Sequence, residues 1–389
     1  MPSRPLDRRQ VAAGLALLAG GAWGSSALAQ NRGAPSPPSP PESDPTSGMA
    51  AVGLIARRGE LGQTVAVSGL SLGAAGERSF TFDQPFRAAS VSKMFAGAAF
   101  VSLALDKGVS LDADVSDLLG FRLRHPAFPK VRITPRMVLS HTSGLRNGPS
   151  YPVPFGRPLS DAFRPGRRNY DDGKWFGAPN RRPGEWFAYA DVNFALVAQM
   201  IERLSGRRFD LYMAQTLFAP AGLDIGYNWS GVTAATRLRA APGLRMVNGR
   251  WLPQVDAEVP AAPLVALNKA PEARRLEARN YRLGTNGFAF APQGGLRLCL
   301  RDMDRLAQIM AAGGAYNGRQ LLRADALELM QRPVWRYDPA NPNGFPSEVF
   351  QGYGLAMQTP QGLPGAAGDA FFGADSADWR GHLGDAYGW

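Results

Sequence analysis

The sequence predicts an α+β fold in which an antiparallel sheet is flanked by helices. From Ala51 to Phe82, short apolar segments alternate with glycine-containing turns, a pattern typical of antiparallel strands. Residues 109–285 are richer in proline, arginine and aromatic residues and indicate helices separated by long loops. The last segment returns to strand-like sequence. We therefore expect one domain from residue 49 onwards, whose sheet part comprises residues 49–108 and 286–389 and whose helical part, 109–285, is inserted between them.

The first 29 residues have the features of an export signal, and a linker follows them. Arg8 and Arg9 precede an apolar stretch that is too short to span a bilayer, and Ala27-Leu28-Ala29 fits a cleavage site. The arginine pair fits a twin-arginine signal and an ordinary signal about equally well. Residues 30–48 are rich in proline and serine, with too little apolar content to fold. We expect a periplasmic or secreted protein with no transmembrane span.

Charge and cysteine content narrow the classes of partner. The formal net charge is +11, but the arginines are dispersed in doublets, so we expect no nucleic-acid binding. Weak association with anionic cell-wall polymer and simple solvated charge both fit this pattern. Cys299 is the only cysteine and lies in an apolar run, which indicates an inert buried thiol. The three histidines have no ligand-like spacing, and we expect no metal or cofactor: His125, His141 and His382.

Two serines occur in motifs that could supply a nucleophile. Ser71 lies in a G-x-S-x-G pattern, but the helix that such an elbow requires does not follow, so we interpret Ser71 as a hairpin residue. Residues 90–107 predict a helix that is apolar nearly all round, and therefore buried, with Gly108 as its stop. Ser90 and Lys93 lie three apart at its start, so the amine can reach the serine oxygen.

The charge of Lys93 decides what this pair can do. Burial lowers the pKa of a lysine, and we expect it to bring Lys93 toward the range of a general base. The alternative is that Ser90 only caps the helix while the Lys93 side chain extends to water.

Three further elements follow in order. Residues 191–205 predict an amphipathic helix with Asp191 as its N-cap and Gly206 at its end. Residues 245–252 predict a hairpin around an Asn-Gly turn. Residues 294–314 suggest a turn that leads into a helix.

Several segments, taken in order, resemble one family. The Ser90–Lys93 motif is followed by an LSHTSGL segment, a Tyr-x-Asp triplet after Pro-Gly, a Gly-Gly loop before Arg-Asp, and a His-x-Gly triplet. Together they resemble the serine β-lactamase and penicillin-binding-protein superfamily, most of all its class C β-lactamase and esterase branch. The segments are Leu139–Leu145, Tyr189–Asp191 after Pro183-Gly184, Gln293–Leu296 before Arg301-Asp302, and His382–Gly384.

The resemblance implies a β-lactamase/transpeptidase-like fold and assigns roles to residues. Ser90 would attack a carbonyl and form an acyl-enzyme, while Lys93 and Tyr189 relay its proton to the leaving group. The oxyanion would be held by the backbone N–H groups of Ser90 and Asp385. Gly384 would let its strand approach the substrate closely.

Two departures from the family pattern concern the substrate. Where many members have Lys-Thr or Lys-Ser to bind a substrate carboxylate, this chain has His382-Leu383, so a fixed charge becomes a titratable ring. Asp191 replaces an asparagine that contacts the substrate, and an N-cap role is sufficient to explain it. His141 and Ser143 are interpreted as a structural turn. An ester or small amide therefore fits better than a penicillin or a D-Ala-D-Ala peptide.

Two alternatives to this esterase-like function stay open. One is a true class C β-lactamase or D,D-carboxypeptidase, and the other is a non-catalytic relic that binds cell wall or peptide. The sequence ends at Trp389, where the resemblance leads us to expect further strands and a C-terminal helix, so either the sequence is a fragment or the protein has lost these elements.

Overall fold

The structure is a computed structural model that describes most of the chain. The predicted export signal, the linker and Asp385 lie outside the described residues, and nothing described tests the expectation that C-terminal strands and a helix are missing, so all four stay predictions. For residues 51–79 and 243–254 only the backbone is described. The described residues are 51–58, 61–73, 76–241, 243–247, 250–254, 281–346, 351–362, 369 and 379–384.

The described chain begins with the predicted antiparallel meander. Strands β1 (Ala51–Arg58), β2 (Leu61–Gly73) and β3 (Gly76–Ser79) pair in the order β1-β2-β3, with a register shift in β1 at Leu54/Ile55. Ser71 lies inside β2 opposite Arg78. A strand rather than a helix follows it, so the nucleophile elbow is not formed and the hairpin interpretation is confirmed.

The predicted buried helix is also present. A 3-10 turn, Ala89–Val91, leads into helix α1 (Ser92–Asp106), and Gly108 follows with φ +65°. Helices in the middle of the chain are mostly single turns, except the predicted amphipathic helix, which ends at Gly206 in the left-handed conformation. They are α2 (Val115–Leu119), α3 (Pro135–Leu139), α4 (Val192–Ser205), α5 (Phe209–Met213) and α6 (Ala234–Leu238), with 3-10 turns at Leu159–Phe163 and Asp171–Gly173 and a π-helical turn at Ala214–Phe218.

A second small sheet joins distant parts of the chain. Strand β8 pairs with β4 on one side and β5 on the other, and every ladder between the named strands is antiparallel. The predicted hairpin is formed by β6 and β7. In residues 294–314 the predicted helix, α7, is present, but a short strand, β8, precedes it in addition to the predicted turn. The elements are β4 (Phe86–Arg87), β5 (Gly226–Tyr227), β6 (Gly243–Val247), β7 (Arg250–Gln254), β8 (Leu296–Leu298) and α7 (Leu300–Ala311).

The remaining described elements are short. Strands β9 (Ala315–Tyr316) and β10 (Arg319–Gln320) form a hairpin, helix α8 (Ala324–Gln331) follows, and β11 (Trp335–Arg336) pairs with β12 (Gly352–Tyr353). After these, Gln358 forms isolated antiparallel bridges with Tyr353 of β12 and with Gly381, so the segment that contains His382 lies next to Gln358.

Helix α1 is the centre of the core. It packs against α4 and α8, and its buried side chains join one large cluster with those of α4. Among the described residues, one helical stretch, Ala89–Asp106, is long and apolar enough to cross a membrane, and 72% of it is buried inside the fold. The burial follows from the near absence of polar residues around α1.

Gly97 allows the closest approach to this helix. A Cβ atom placed on Gly97 would lie 2.3 Å from the Cβ of Ala356. We expect Gly97→Ala to lower the free energy of unfolding by about 1–3 kcal/mol, because overpacking outweighs the gain of at most about 1 kcal/mol in helix propensity. Denaturant unfolding measures this, with the exposed Lys107→Ala as a control expected within about 0.5 kcal/mol of the parent. An equally stable Gly97→Ala variant would contradict the close packing.

Candidate active site

The turn that carries Ser90 is tied to the small sheet by its neighbour Ser92. The Ser92 hydroxyl donates to the carbonyl of Ala89 (2.6 Å) and accepts the Leu296 N–H of β8 (3.1 Å). The Tyr227 hydroxyl of β5 donates to the Ser92 carbonyl (2.7 Å). Ala89 has φ +46°, an uncommon value for alanine. The bonds of Ser92 therefore hold an unusual backbone conformation immediately before Ser90.

Lys93 is buried at the bottom of this site. Its side chain has 0% exposure, and its Nζ donates to Ser90 Oγ (2.9 Å), to the Gln293 carbonyl (2.6 Å) and to Asp191 Oδ1 (2.8 Å). An ammonium has three hydrogens, so these three acceptors satisfy it completely. The alternative in which Lys93 extends to water is excluded, and Ser90 makes no helix-capping hydrogen bond.

The charge of Lys93 differs from the sequence-based expectation. Burial does lower its pKa, but the negative charge of Asp191 and the interaction with Tyr189 outweigh burial, so the pKa of Lys93 is raised above its ordinary value. The expectation of a lysine poised as a free base was therefore wrong. It was wrong because the ion-pair partner, Asp191, cannot be identified from the burial of the helix alone.

Tyr189 forms the open side of the site. Its ring lies 5.0 Å from Lys93 Nζ, stacks on His141 at 4.3 Å and is 38% exposed, which excludes a purely core role. Its hydroxyl interacts with both Ser90 and Lys93. The hydroxyl group itself is buried although the residue is partly exposed; this burial raises the pKa of the phenol, and the positive charge of Lys93 reduces the rise without cancelling it. Tyr189 is therefore a neutral hydroxyl in contact with Ser90.

Asp191 does not cap its helix, contrary to the sequence-based interpretation. Its side chain makes no capping hydrogen bond. Instead, Oδ1 pairs with Lys93, while Oδ2 accepts from the Tyr151 hydroxyl (3.0 Å) and from Asn147 Nδ2 (3.2 Å). The Val192 N–H at the start of α4 donates to Asn147 Oδ1 (3.1 Å), so Asn147 performs the expected capping. Burial raises the pKa of Asp191, but Lys93 and the hydrogen bonds outweigh it and the pKa is lowered.

His141 and Ser143 form a structural turn, as the sequence indicated. His141 Nδ1 accepts the Ala190 N–H (3.0 Å) and lies 3.1 Å from Asn193 Nδ2. The Ser143 hydroxyl donates to Asn193 Oδ1 (2.7 Å). Both side chains are buried, and burial lowers the pKa of His141 well below its ordinary value. The turn links the end of α3 to the start of α4, and so positions Tyr189 and Asp191.

His382 is a neutral, hydrogen-bonded ring. Its Nε2 is 2.8 Å from the Tyr353 hydroxyl and its Nδ1 is 2.6 Å from the Leu383 carbonyl, an arrangement that assigns the proton to Nδ1. Burial, followed by the positive charge of Lys93, lowers the pKa of His382 to about 3. A group that titrates near neutral pH was expected here, and burial prevents it. Leu383 is 40% exposed beside it.

Gly384 lies against the Ser90 turn. A Cβ atom there would be 2.7 Å from the Ala88 carbonyl oxygen and 3.2 Å from Val91 Cγ2. The backbone of the last described segment therefore comes close to the residues on either side of Ser90, and a close approach of Gly384 to the substrate stays a prediction. Asp385, expected to supply an oxyanion donor, lies outside the described residues.

Sequence reasoning missed four contributors to the site. Tyr151, Asn147 and Ser92 carry no motif signal, and each acts through a partner distant in sequence. Gln293 lies in the predicted Gly-Gly loop, but its carbonyl accepts a hydrogen bond from Lys93, and a local pattern does not indicate that.

Burial raises the pKa of the Cys299 thiol to about 12, which confirms an inert side chain. No group of three or more metal-binding side chains occurs among the described residues.

Comparison with known proteins identifies the family of the chain. The Beta-lactamase family model matches residues 46–389. The chain is similar to penicillin-binding protein 4* of Bacillus subtilis (27% identity, 36% of this chain and 29% of the relative). It is also similar to a D-aminopeptidase of Gluconobacter oxydans (30% identity, 37% of this chain and 26% of the relative). The matched segment thus spans less than a third of the length of either relative.

A solved structure supports the fold. The D-amino acid amidase from Ochrobactrum anthropi SV3, complexed with L-phenylalanine amide, aligns with a TM-score of 0.54 and 18% identity, over 80% of this chain and 75% of that chain. The fold is thus the β-lactamase/transpeptidase-like fold that the motifs implied. The family match covers most of the chain and includes the segments of Ser90, Lys93 and Tyr189. The chain therefore belongs to the β-lactamase family of serine hydrolases.

Proposed function

We propose that this protein hydrolyses an ester or a small amide through an acyl-enzyme on Ser90. The observation that carries the proposal is the buried Lys93 amine 2.9 Å from Ser90 Oγ, in contact with the Tyr189 hydroxyl. A serine hydroxyl is a weak nucleophile unless a neighbouring group removes its proton, and both neighbours are in reach. Burying a charged lysine beside a serine costs free energy, and a non-catalytic binding protein would gain no function from that cost.

The reaction would follow two steps. Lys93 rests as an ammonium and must first give up a proton of its own; Ser90 Oγ then attacks the carbonyl carbon while its proton passes to Lys93, beside the Tyr189 hydroxyl, and the leaving group departs with that proton. Water then hydrolyses the acyl-enzyme. The backbone N–H of Ser90, at the start of the α1 turn, is suited to holding the oxyanion, and the sequence-based proposal of Asp385 as the second donor stands beside it.

The proposal of a substrate without a carboxylate rests on His382 and Leu383. A substrate carboxylate needs a cation or several donors, but His382 is neutral and its two ring nitrogens are occupied by Tyr353 and Leu383. Leu383 presents an isobutyl group where a hydroxyl is common in relatives that bind carboxylates. Penicillins and D-Ala-D-Ala peptides carry such a carboxylate, so we place a β-lactamase or D,D-carboxypeptidase second to an esterase-like function.

An amino acid amide is the second candidate substrate. A D-aminopeptidase and a D-amino acid amidase are among the proteins similar to this chain. Amide and ester hydrolysis share the acyl-enzyme route, so the same site serves both. We further propose, from the sequence alone, that the protein is exported to the periplasm or secreted and acts there on a small molecule or peptide.

The nucleophile is tested by substitution. Ser90→Ala should lower kcat/KM for p-nitrophenyl acetate by roughly a thousandfold or more, and Lys93→Met should be nearly as damaging. Circular dichroism should show an unchanged fold for Ser90→Ala. Ser71→Ala is the matched control, because Ser71 lies in strand β2, and it should keep parental turnover. Wild-type turnover by Ser90→Ala would refute the proposed nucleophile.

Substrate preference is tested with the parent enzyme. The specificity constant for short p-nitrophenyl esters, or for D-amino acid amides, should exceed that for a chromogenic cephalosporin, because His382 is a neutral ring and supplies no positive charge for a carboxylate. The comparison is made at one pH with all substrates below saturation. A higher value for the cephalosporin would favour a true β-lactamase instead.

Ser92 should affect turnover through the position of Ser90. Ser92→Ala leaves the Leu296 N–H without its buried partner and should lower the free energy of unfolding by about 1–3 kcal/mol. It should also lower kcat by roughly ten- to a hundredfold, because the Ser90 turn shifts. Ser102→Ala is the control. Ser102 lies on α1 like Ser92, and its hydroxyl accepts the backbone N–H of Arg323, far from Ser90 along the helix. That variant should lose stability and keep kcat. Equal kcat values for the two variants would contradict a positioning role.

A further inference from the structure

We propose that Asp191 is a positioning residue that holds Lys93 as an ammonium in the resting enzyme and takes a proton from it when Ser90 attacks. The inference deepens the proposed function and rests on it. It concerns a position where this chain departs from the asparagine common in the family, so the family mechanism does not supply it.

The geometry places Lys93 Nζ between Ser90 and Asp191. It is 2.9 Å from Ser90 Oγ and 2.8 Å from Asp191 Oδ1, with the Gln293 carbonyl as the third acceptor. With all three hydrogens donated, the nitrogen has no lone pair for the Ser90 proton. Lys93 can therefore accept that proton only if it gives up one of its own. Asp191 is the acceptor in contact with it.

The other titratable groups around Lys93 do not offer a charge that could replace Asp191. Burial keeps the phenols of Tyr151 and Tyr353 protonated, since it raises the pKa of each. The lowered pKa values of the two histidines leave their rings neutral. Among the described residues that face Lys93, Asp191 is thus the one anion. The titratable and charged groups around Lys93 and Asp191 are Tyr189, His141, His382, Tyr151, Tyr353 and Arg87, whose positive charge lowers the pKa of Tyr151 slightly against the effect of burial.

The proton transfers balance over the acylation step. Lys93 passes a proton to Asp191 Oδ1, the amine turns to a neighbouring staggered position, and its lone pair takes the proton of Ser90. The Ser90 oxygen forms a bond to the carbonyl carbon, and the carbonyl π electrons move to oxygen. When the tetrahedral intermediate collapses, the leaving group takes a proton from Lys93, which recovers one from Asp191. The resting ion pair is restored and the acyl-enzyme remains.

This relay and a purely electrostatic role predict opposite pH shifts. In the relay the parent enzyme needs only an ionised Asp191, whose pKa is lowered, so kcat/KM should be level from mildly acidic to alkaline pH. Without the carboxylate, Lys93 must lose its proton to solvent. The part of the pH profile in which kcat/KM rises with pH, its rising limb, therefore moves to higher pH. If Asp191 merely raised the pKa of Lys93, its removal would move the rising limb to lower pH.

The experiment is the pH profile of kcat/KM for p-nitrophenyl acetate with Asp191→Asn. We expect the rising limb to move up by at least one pH unit, which is about a tenfold loss on its acidic side, with turnover recovered at alkaline pH. Asp114→Asn is the matched control, since Asp114 pairs with Arg124 away from the site, and its profile should stay in place. An unmoved limb, or a limb moved to lower pH, overturns the relay.

Two measurements keep the outcome decisive. If Asp191→Asn does not fold, the parent profile still tests the inference, because a parent rising limb in the alkaline range would overturn it and a level neutral profile would support it. Ser90→Ala separates the inference from the proposed function. Loss of turnover in Ser90→Ala together with an unmoved Asp191→Asn profile refutes the relay alone, whereas full turnover in Ser90→Ala refutes the proposed function.

Discussion

The buried ammonium of Lys93 is the interaction on which the site depends. A charge without access to water is tolerated only when its hydrogens are donated, and three acceptors from distant parts of the chain receive them. Ser90 comes from the same turn, Gln293 from the loop before β8, and Asp191 from the start of α4. The core around α1 can therefore form only if these three segments also come together to accept the hydrogen bonds of Lys93.

A surrounding layer of polar contacts fixes the partners of that ammonium. Tyr151 and Asn147 hold Asp191, and Asn147 also binds the first N–H of α4. Ser92 ties the turn of Ser90 to β8. These contacts leave the carboxylate and the hydroxyl each within hydrogen-bonding distance of one nitrogen, which suits a group that exchanges protons with both.

The site differs from a carboxylate-binding one in the distribution of charge. Lys93 and Asp191 neutralise each other at the base, and His382 is neutral because it is buried against Tyr353. The open surface is formed in part by Tyr189 and Leu383. An environment of this kind favours a substrate without a carboxylate. The charged pair that controls the reaction lies next to Ser90 rather than around the substrate.

The sequence by itself determined the local features of this protein. Periodicity and composition predicted the N-terminal meander, the buried helix α1 and the helix α4 with its glycine stop, because each follows from neighbours within a few residues. The order of motifs identified Ser90, Lys93 and Tyr189 as one site. Only the tertiary structure decided the charge of Lys93, the partner of Asp191 and the neutrality of His382. Those properties depend on burial and on interactions between residues distant in sequence, such as Lys93 and Gln293, which are 200 positions apart, and local sequence patterns do not encode such interactions.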